Sequence, residues 1–301
     1  MPQPVTTVID PDLCNGCGEC VRVCPSDTIR MIDGKAVVVG PDSLNCGHCQ
    51  AICPVEAVRV HSLDAEWSRF QSFKAHDELI EPGAFDAGLL VRLMRSRRSC
   101  RNYQSKPLPL EVLNDLIKAG ISAPSGTNSQ LWTFTVLQDR PKVDKLGTAV
   151  AGFLEKLNAL SEKKLLRKGM RLFGKPELDQ YFFEYHDRVA EALMEWRKNG
   201  RDRLFHGAPA VIAVGMQPGA SCPAEDALLA AGQIVLAAHA LGLGTCLIGF
   251  AVEAMRRDPS IKHLIGIPAK EPVYAVIAIG YPDEPYQRPA GRRKPLLRYV
   301  K

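Results

Sequence analysis

From residue 89 onward the apolar positions fall into two kinds of pattern. Leu89, Leu90, Leu93 and Met94 recur at helical spacing, as do Val112, Leu113, Leu116 and Ile117. This predicts two amphipathic helices, the second ending on Gly120 as a C-terminal cap. Short apolar runs at Trp132–Leu137, 210–215 and Val273–Gly280 read as strands, with helical stretches between them that include the Ala-rich residues 224–241. Strands and helices interleaved in this way predict an α+β fold for residues 89–301. Within it, residues 151–205 are charged and helical, with Leu165, Leu166, Leu172, Phe173, Tyr181, Phe182 and Tyr185 as their apolar side, and read as an excursion that forms a lid. Residues 66–88 have poor periodicity, but Trp67, Phe70 and Phe73 make them a linker that packs on something. Residues 1–65 form a separate module.

One stretch tests the assumption of a soluble chain. Residues 227–252 contain no Asp, Glu, Lys or Arg and exceed the roughly 20 residues that span a bilayer. Gln233, His239 and Thr245 interrupt the run, and Gly232, Gly242, Gly244 and Gly249 break it, so a buried helix, a glycine turn and a buried extended segment are expected, not a membrane span. The opening MPQPVTTVID carries no basic stretch before an apolar one, which makes the cytoplasm the expected compartment.

The formal charge of +5 conceals an asymmetry. Residues 1–66 hold four Lys or Arg against nine Asp or Glu, so all the positive excess lies in the remainder. These positive residues form no dense tract or DNA-reading motif, and no nucleic-acid partner is expected. An anionic cofactor or an acidic partner surface fits the charge better.

Seven of the ten cysteines fall between Cys14 and Cys53. The first four are spaced Cys14-x2-Cys17-x2-Cys20-x3-Cys24 and followed by Pro25, a run that resembles the bacterial two-cluster ferredoxin signature. Gly16 and Gly18 allow a tight loop that brings three thiolates to one cluster. A second run, Cys46-x2-Cys49-x3-Cys53 with Pro54, repeats the first. The resemblance implies that Cys14, Cys17, Cys20 and Cys53 hold one 4Fe-4S cluster, and that Cys24, Cys46 and Cys49 hold most of a second. Ser43 stands where its fourth ligand belongs. That cluster is then 3Fe-4S, or 4Fe-4S with an oxygen ligand from Ser43, Asp42 or water, or labile, and the sequence does not choose. Zinc sites usually show two separated pairs, and disulfides do not persist in the cytoplasm. Cys100, Cys222 and Cys246 are scattered and read as small buried hydrophobes.

The larger domain carries a second resemblance. The run Arg97-Arg98-Ser99-Cys100-Arg101 follows one predicted helix, and Ala123-Pro124-Ser125-Gly126-Thr127-Asn128-Ser129-Gln130 follows the next. Trp132 opens a strand, Gly207-Ala208-Pro209 opens another, Leu241-Gly242-Leu243-Gly244 leads to Ile248-Gly249, and Arg292-Arg293-Lys294-Pro295 lies near the end. In that order these marks resemble the nitroreductase family over residues 89–301. The resemblance implies FMN bound non-covalently between two subunits of a homodimer. Arg97, Arg98, Ser99 and Arg101 would meet its phosphate and ribityl chain, with Arg292 or Arg293 arriving from the tail. Pro124, Ser125, Gly126 and Asn128 would approach the ring from the partner subunit. Leu247, Ile248 and Gly249 would line it, with the Ile248 and Gly249 N–H groups facing its N5 and O4 edge. Family members often have Pro at the position of Leu131, and some have Glu at that of Ile248, which leaves NADH or NADPH undecided.

Flavin chemistry needs no protein nucleophile, so no catalytic side chain is assigned. His206 and His239 read as structural. The expected function is an FMN-dependent oxidoreductase that receives electrons through its own clusters, from reduced ferredoxin or NAD(P)H, and reduces a small nitroaromatic, quinone or enone. The alternatives are an electron relay to a partner protein, and reductive dehalogenation or flavin remodelling.

Overall fold

The computed structural model describes residues 3–76 and 78–300; residues 1, 2, 77 and 301 lie outside that description. The amino-terminal module has strands β1 (Gln3–Pro4), β2 (Thr7–Ile9), β3 (Ile29–Ile32), β4 (Lys35–Val38), β5 (Asp42–Ser43) and β6 (Val58–Val60). They pair antiparallel as β1 with β5, β2 with β6 and β3 with β4. Its helices α1 (Glu19–Arg22) and α2 (His48–Ala51) each begin after a left-handed glycine, Gly18 at φ 75° and Gly47 at φ 78°. Asp27 and Glu56 are left-handed at matching places further on, so the internal repeat extends to the backbone. Gly16 cannot be replaced in this loop without a shift, because a Cβ there would lie 2.2 Å from the Gly34 carbonyl oxygen.

The segment after the module is anchored, as its aromatic residues suggest. Phe70 and Phe73 pack together at 4.6 Å between ring centroids. The helices α3 (Ala87–Ser96) and α4 (Leu110–Gly120) follow. Asp115 of α4, fully buried, accepts from the Gln71 N–H (2.8 Å), the Ser72 N–H (2.6 Å) and the Ser72 hydroxyl (2.7 Å). Burial raises its pKa, but these donors and the nearby Lys118 outweigh burial and hold the carboxyl below its ordinary range. Asp115→Ala would leave the donors unanswered, at a cost of about 2–4 kcal/mol. A lowered melting temperature and faster proteolysis within residues 69–86 would register it.

The larger domain continues with β7 (Trp132–Leu137), α5 (Arg140–Ser161), α6 (Lys164–Leu172), α7 (Glu177–Glu184), α8 (His186–Asn199), β8 (Ala210–Met216), α9 (Pro223–Ala240), β9 (Gly244–Leu247), α10 (Gly249–Arg257), α11 (Pro259–Leu264) and β10 (Val273–Gly280). Its sheet has the order β7-β8-β10-β9, with every pair antiparallel. Strand residues alternate between two cores, as the two-residue period requires. Val211, Ala213, Val276 and Ala278 face α5, α10 and α11. Ala210, Ile212, Val214, Met216, Ile277 and Ile279 face α4 and α9. The α+β class and the expected strands are thus present.

Some expectations change. The stretch 227–252 resolves into α9, a turn, β9 and the start of α10, and among the described residues no helix is long and apolar enough to cross a membrane. Gly120 is the last helical residue of α4, not a left-handed cap; a Cβ there would lie 2.8 Å from Ile234 Cγ1, so the glycine serves close packing of α4 on α9. Residue 151 falls inside α5, whose buried Val143, Leu146 and Val150 tie the start of the excursion to the core. The predicted α3 forms, yet none of its residues is buried, and Leu89, Leu90, Val91 and Met94 are exposed.

Candidate functional site

The last cysteine of the first run lies with the second run. Burial pushes the Cys49 thiol up, and Cys24 and Cys46 beside it add to the rise. Burial raises Cys20 in the same way, with Cys14 and Cys17 as its neighbours. Cys24 therefore sits with the second run, and only a cationic centre would hold such grouped thiols ionised. Cys24, Ser43, Cys46 and Cys49 line one small cavity with Asn45, His48 and Thr28. Asp42 and Cys53 do not line it. Of the oxygen donors considered, Ser43 is thus the side chain in position, its hydroxyl accepting from the Asn45 N–H at 3.0 Å. His48 also reaches this cavity, a donor that the cysteine pattern did not flag. Among the described residues no His, Cys, Asp and Glu side chains converge on a single-ion site, whereas a cluster spreads its ligands around a larger centre. Cys53 Sγ accepts from the Ala57 N–H at 3.3 Å.

The arginine loop joins the glycine segment that the sequence placed far away. Ser99 bridges Thr245 in parallel register, and the Cys100 N–H donates to the Thr245 carbonyl at 2.9 Å. Gly244 is required beneath this contact, since a Cβ would lie 2.7 Å from Cys100 Sγ. Arg97 and Arg101 both lie near Cys246, whose thiol is raised by burial and only partly relieved by the two guanidinium groups. Among the described residues Arg97, Arg98 and Arg101 form no ion pair with a carboxylate, which suits a loop that meets an anionic ligand.

Two clefts meet at Arg101. A polar one of about 980 Å³ is lined by Arg101, Arg140, Arg188, Arg201, Arg203 and His206. A second of about 850 Å³ shares Arg101, Arg203 and His206, includes Cys246, Leu247, Ile248 and Gly249, and is roofed by apolar residues of α5 and α7 such as Phe153, Leu157 and Tyr181. The shape fits a long molecule with an anionic end and a flat ring. His206, expected to be structural, also lines both clefts; burial, its largest influence, holds its pKa below the ordinary value.

Other assigned residues stand differently. The Ile248 N–H donates to the Val276 carbonyl at 2.8 Å and is not free for a ring edge. Gly249 opens α10, whose first N–H groups lack intrahelical acceptors, so it remains available. Arg292 and Arg293 are exposed in a tail without regular secondary structure, and Arg292 donates to the Ala290 and Gly291 carbonyls. None of the residues 124–130 lines either cleft. Their loop rests on buried Asp226, whose carboxylate accepts from the Gly126 N–H (2.9 Å) and the Ser129 hydroxyl (3.3 Å). Asn128 uses its amide on the amino-terminal module, donating to the Leu44 and Asn45 carbonyls at 3.0 and 3.3 Å. Cys100 and Cys246 are buried as expected, but Cys222 is exposed.

The model of the nitroreductase family matches residues 94–281, more than half of the chain. The chain belongs to the nitroreductase family. A 4Fe-4S dicluster domain model matches residues 6–54, in agreement with the grouped thiols. An iodotyrosine deiodinase of Thermotoga neapolitana is 26% identical over 211 residues, 70% of this nitroreductase-family chain and 97% of its own length. An NADH dehydrogenase of Thermus thermophilus is 24% identical over 68% of this chain and 91% of its own. A Bacteroides fragilis nitroreductase solved with bound FMN is similar in fold, with 21% identity and a TM-score of 0.51 over 70% of this chain and 98% of that one.

Proposed function

We propose that this nitroreductase-family protein is a homodimeric FMN oxidoreductase, fed with electrons by its own two clusters, that reduces a small planar acceptor. The observation that carries this reading is the continuous double cleft: arginines at one end, the Leu247–Gly249 segment and an apolar roof at the other. Arg97, Arg98 and Arg101 bind the FMN phosphate and ribityl chain, and Arg203 and His206 stand where the two clefts meet. Burial lowers the pKa of His206, which favours a ring that meets the ligand without adding charge. The Gly249 N–H orients the ring edge, and Phe153, Leu157, Tyr181 and Phe250 exclude water from the acceptor. When bound, FMN supplies the exchange between one-electron and two-electron chemistry. A second copy covers the exposed apolar face of α3 and brings residues 124–130 to the ring, since one protomer does not bring them to its own cleft.

Sequence similarity to a named deiodinase supports a second reading, reductive dehalogenation of an aromatic ring. Anaerobic incubation with a nitroaromatic, a quinone and a halogenated phenol, after reduction by NADH, NADPH or reduced ferredoxin in turn, separates the two. Turnover of none of these acceptors, with rapid exchange between clusters and flavin, would leave an electron relay as the function. Arg101→Ala is expected to weaken FMN binding by about 1.5–3 kcal/mol through loss of one charge-assisted bond. Its iron content stays at the native level; unchanged flavin affinity or equal loss of iron would count against Arg101.

A further inference from the structure

We propose that electrons reach the flavin across the subunit interface, from the Cys24, Cys46 and Cys49 cluster of one protomer to the FMN held by the Arg97–Arg101 loop and Leu247–Gly249 of the other. The inference rests on the dimeric FMN reading above and adds the route. Its first observation is the contact made by the loop 124–130. Asn128 donates to the carbonyls of Leu44 and Asn45, the residues just before Cys46. Asn45 itself lines the cavity of Cys24, Ser43, Cys46 and Cys49. The loop therefore touches the second cluster site, and that cluster is the exit. Cys17, a ligand of the other cluster, is exposed, so that cluster is the input.

The second observation is the position of the loop in the sheet. It leads into β7, one edge strand, whereas the cleft lies at the end of β9, the other edge strand. Three strand spacings separate them, about 14 Å. They are also offset along the strands: Trp132 pairs with Met216, while Leu247 at the cleft pairs with Ile277, level with Ile212, four residues or about 13 Å further along β8. A loop placed there reaches a flavin only in a neighbouring subunit. It is held rigidly for the task, with Thr127, Asn128 and Gln130 all at positive φ and the Asp226 carboxylate behind them.

The electron balance is complete with a one-electron protein carrier as reductant. Two carriers are oxidised in succession, each giving one electron to the input cluster and thence to the exit cluster. Two electrons and one solvent proton are thereby delivered to FMN, which leaves it reduced.

Mixed dimers test the route. One chain carries Cys46→Ala and the other carries Arg97→Ala with Arg101→Ala, so that the one flavin sits in the chain lacking the exit cluster and faces the loop of the chain that has it. On anaerobic mixing with a reduced single-cluster ferredoxin, flavin bleaching in this dimer should proceed close to the wild-type rate. The Cys46→Ala homodimer, which measures direct reduction of flavin, should be at least about tenfold slower. A mixed dimer no faster than that homodimer overturns the route. Asn128→Leu gives a readout that does not depend on assembling mixed dimers. In a redox titration followed by electron paramagnetic resonance it should lower the potential of the exit cluster and leave the input cluster unchanged. A shift of the input cluster alone, or of neither, overturns the assignment. A wild-type protein that is monomeric or flavin-free would overturn the underlying reading, whereas a flavin-loaded dimer with a slow mixed form overturns the route alone.

Discussion

Asp226→Ala should be among the most damaging single changes in the larger domain, costing about 2–5 kcal/mol in stability as one buried and one half-buried donor lose their acceptor. The Gly126 N–H and the Ser129 hydroxyl both depend on that carboxylate, which is 2% exposed. Without it, the left-handed residues Thr127, Asn128 and Gln130 lose the carboxylate behind them and are held only by peripheral bonds, such as those from Asn128 to Leu44 and Asn45 and from the Gln130 N–H to Ser125 Oγ, so the loop would relax toward ordinary backbone. Loss of FMN on gel filtration, with iron retained, should accompany a lowered melting temperature. Asp226→Asn keeps one carbonyl acceptor and should fall between the two. An Ala variant that melts like the wild type and keeps its flavin would show that the loop is held by other contacts.

Ser43→Cys should change the metal content outright. A deprotonated hydroxyl is a harder ligand than thiolate and holds iron less readily in a sulfur-rich cluster. The native clusters are therefore expected to be inequivalent: one a conventional 4Fe-4S, the other 3Fe-4S or prone to lose one iron. Because Ser43 lines the cavity with Cys24, Cys46 and Cys49, a thiolate there completes a four-sulfur site and raises the iron content. Electron paramagnetic resonance of anaerobically prepared native protein decides the point. Two indistinguishable 4Fe-4S signals, with no 3Fe signal after mild oxidation, would refute it. A replacement of His48 that alters the spectrum when Ser43→Ala does not would assign the fourth position to the imidazole instead.

What could be read from the sequence was the chemistry carried by residues close together in the chain. Cysteine spacing announces a cluster because loop geometry is local, and the Arg97–Arg101 run announces an anion site for the same reason. Hydrogen bonds set by distant partners were not legible. The Ile248 N–H is committed to β10 by a strand register that only the folded sheet fixes. Asn128 meets Leu44 and Asn45 across 84 and 83 positions of chain, and no periodicity encodes such a contact. Gly120 looked like a cap because helix ends and tight helix crossings both favour glycine. His206 gave no local signal, since its place in the cleft depends on Arg101 arriving from a hundred residues away.

The segment between module and domain is pinned at Ser72 by Asp115 near its start, and the module is touched again by Asn128. In the proposed dimer, donor and acceptor therefore meet within one assembly, at an effective concentration that dilution does not change as long as the two chains stay together. Transfer between cluster and flavin should be first order in protein and insensitive to added salt. Delivery of electrons from outside, to an acidic module by a separate charged carrier, should change with salt as screening weakens the electrostatic interaction between the two, slowing for a basic carrier and quickening for an acidic one. Ionic strength thus divides the overall reaction into a screened step and an unscreened one, and identifies which of them limits turnover.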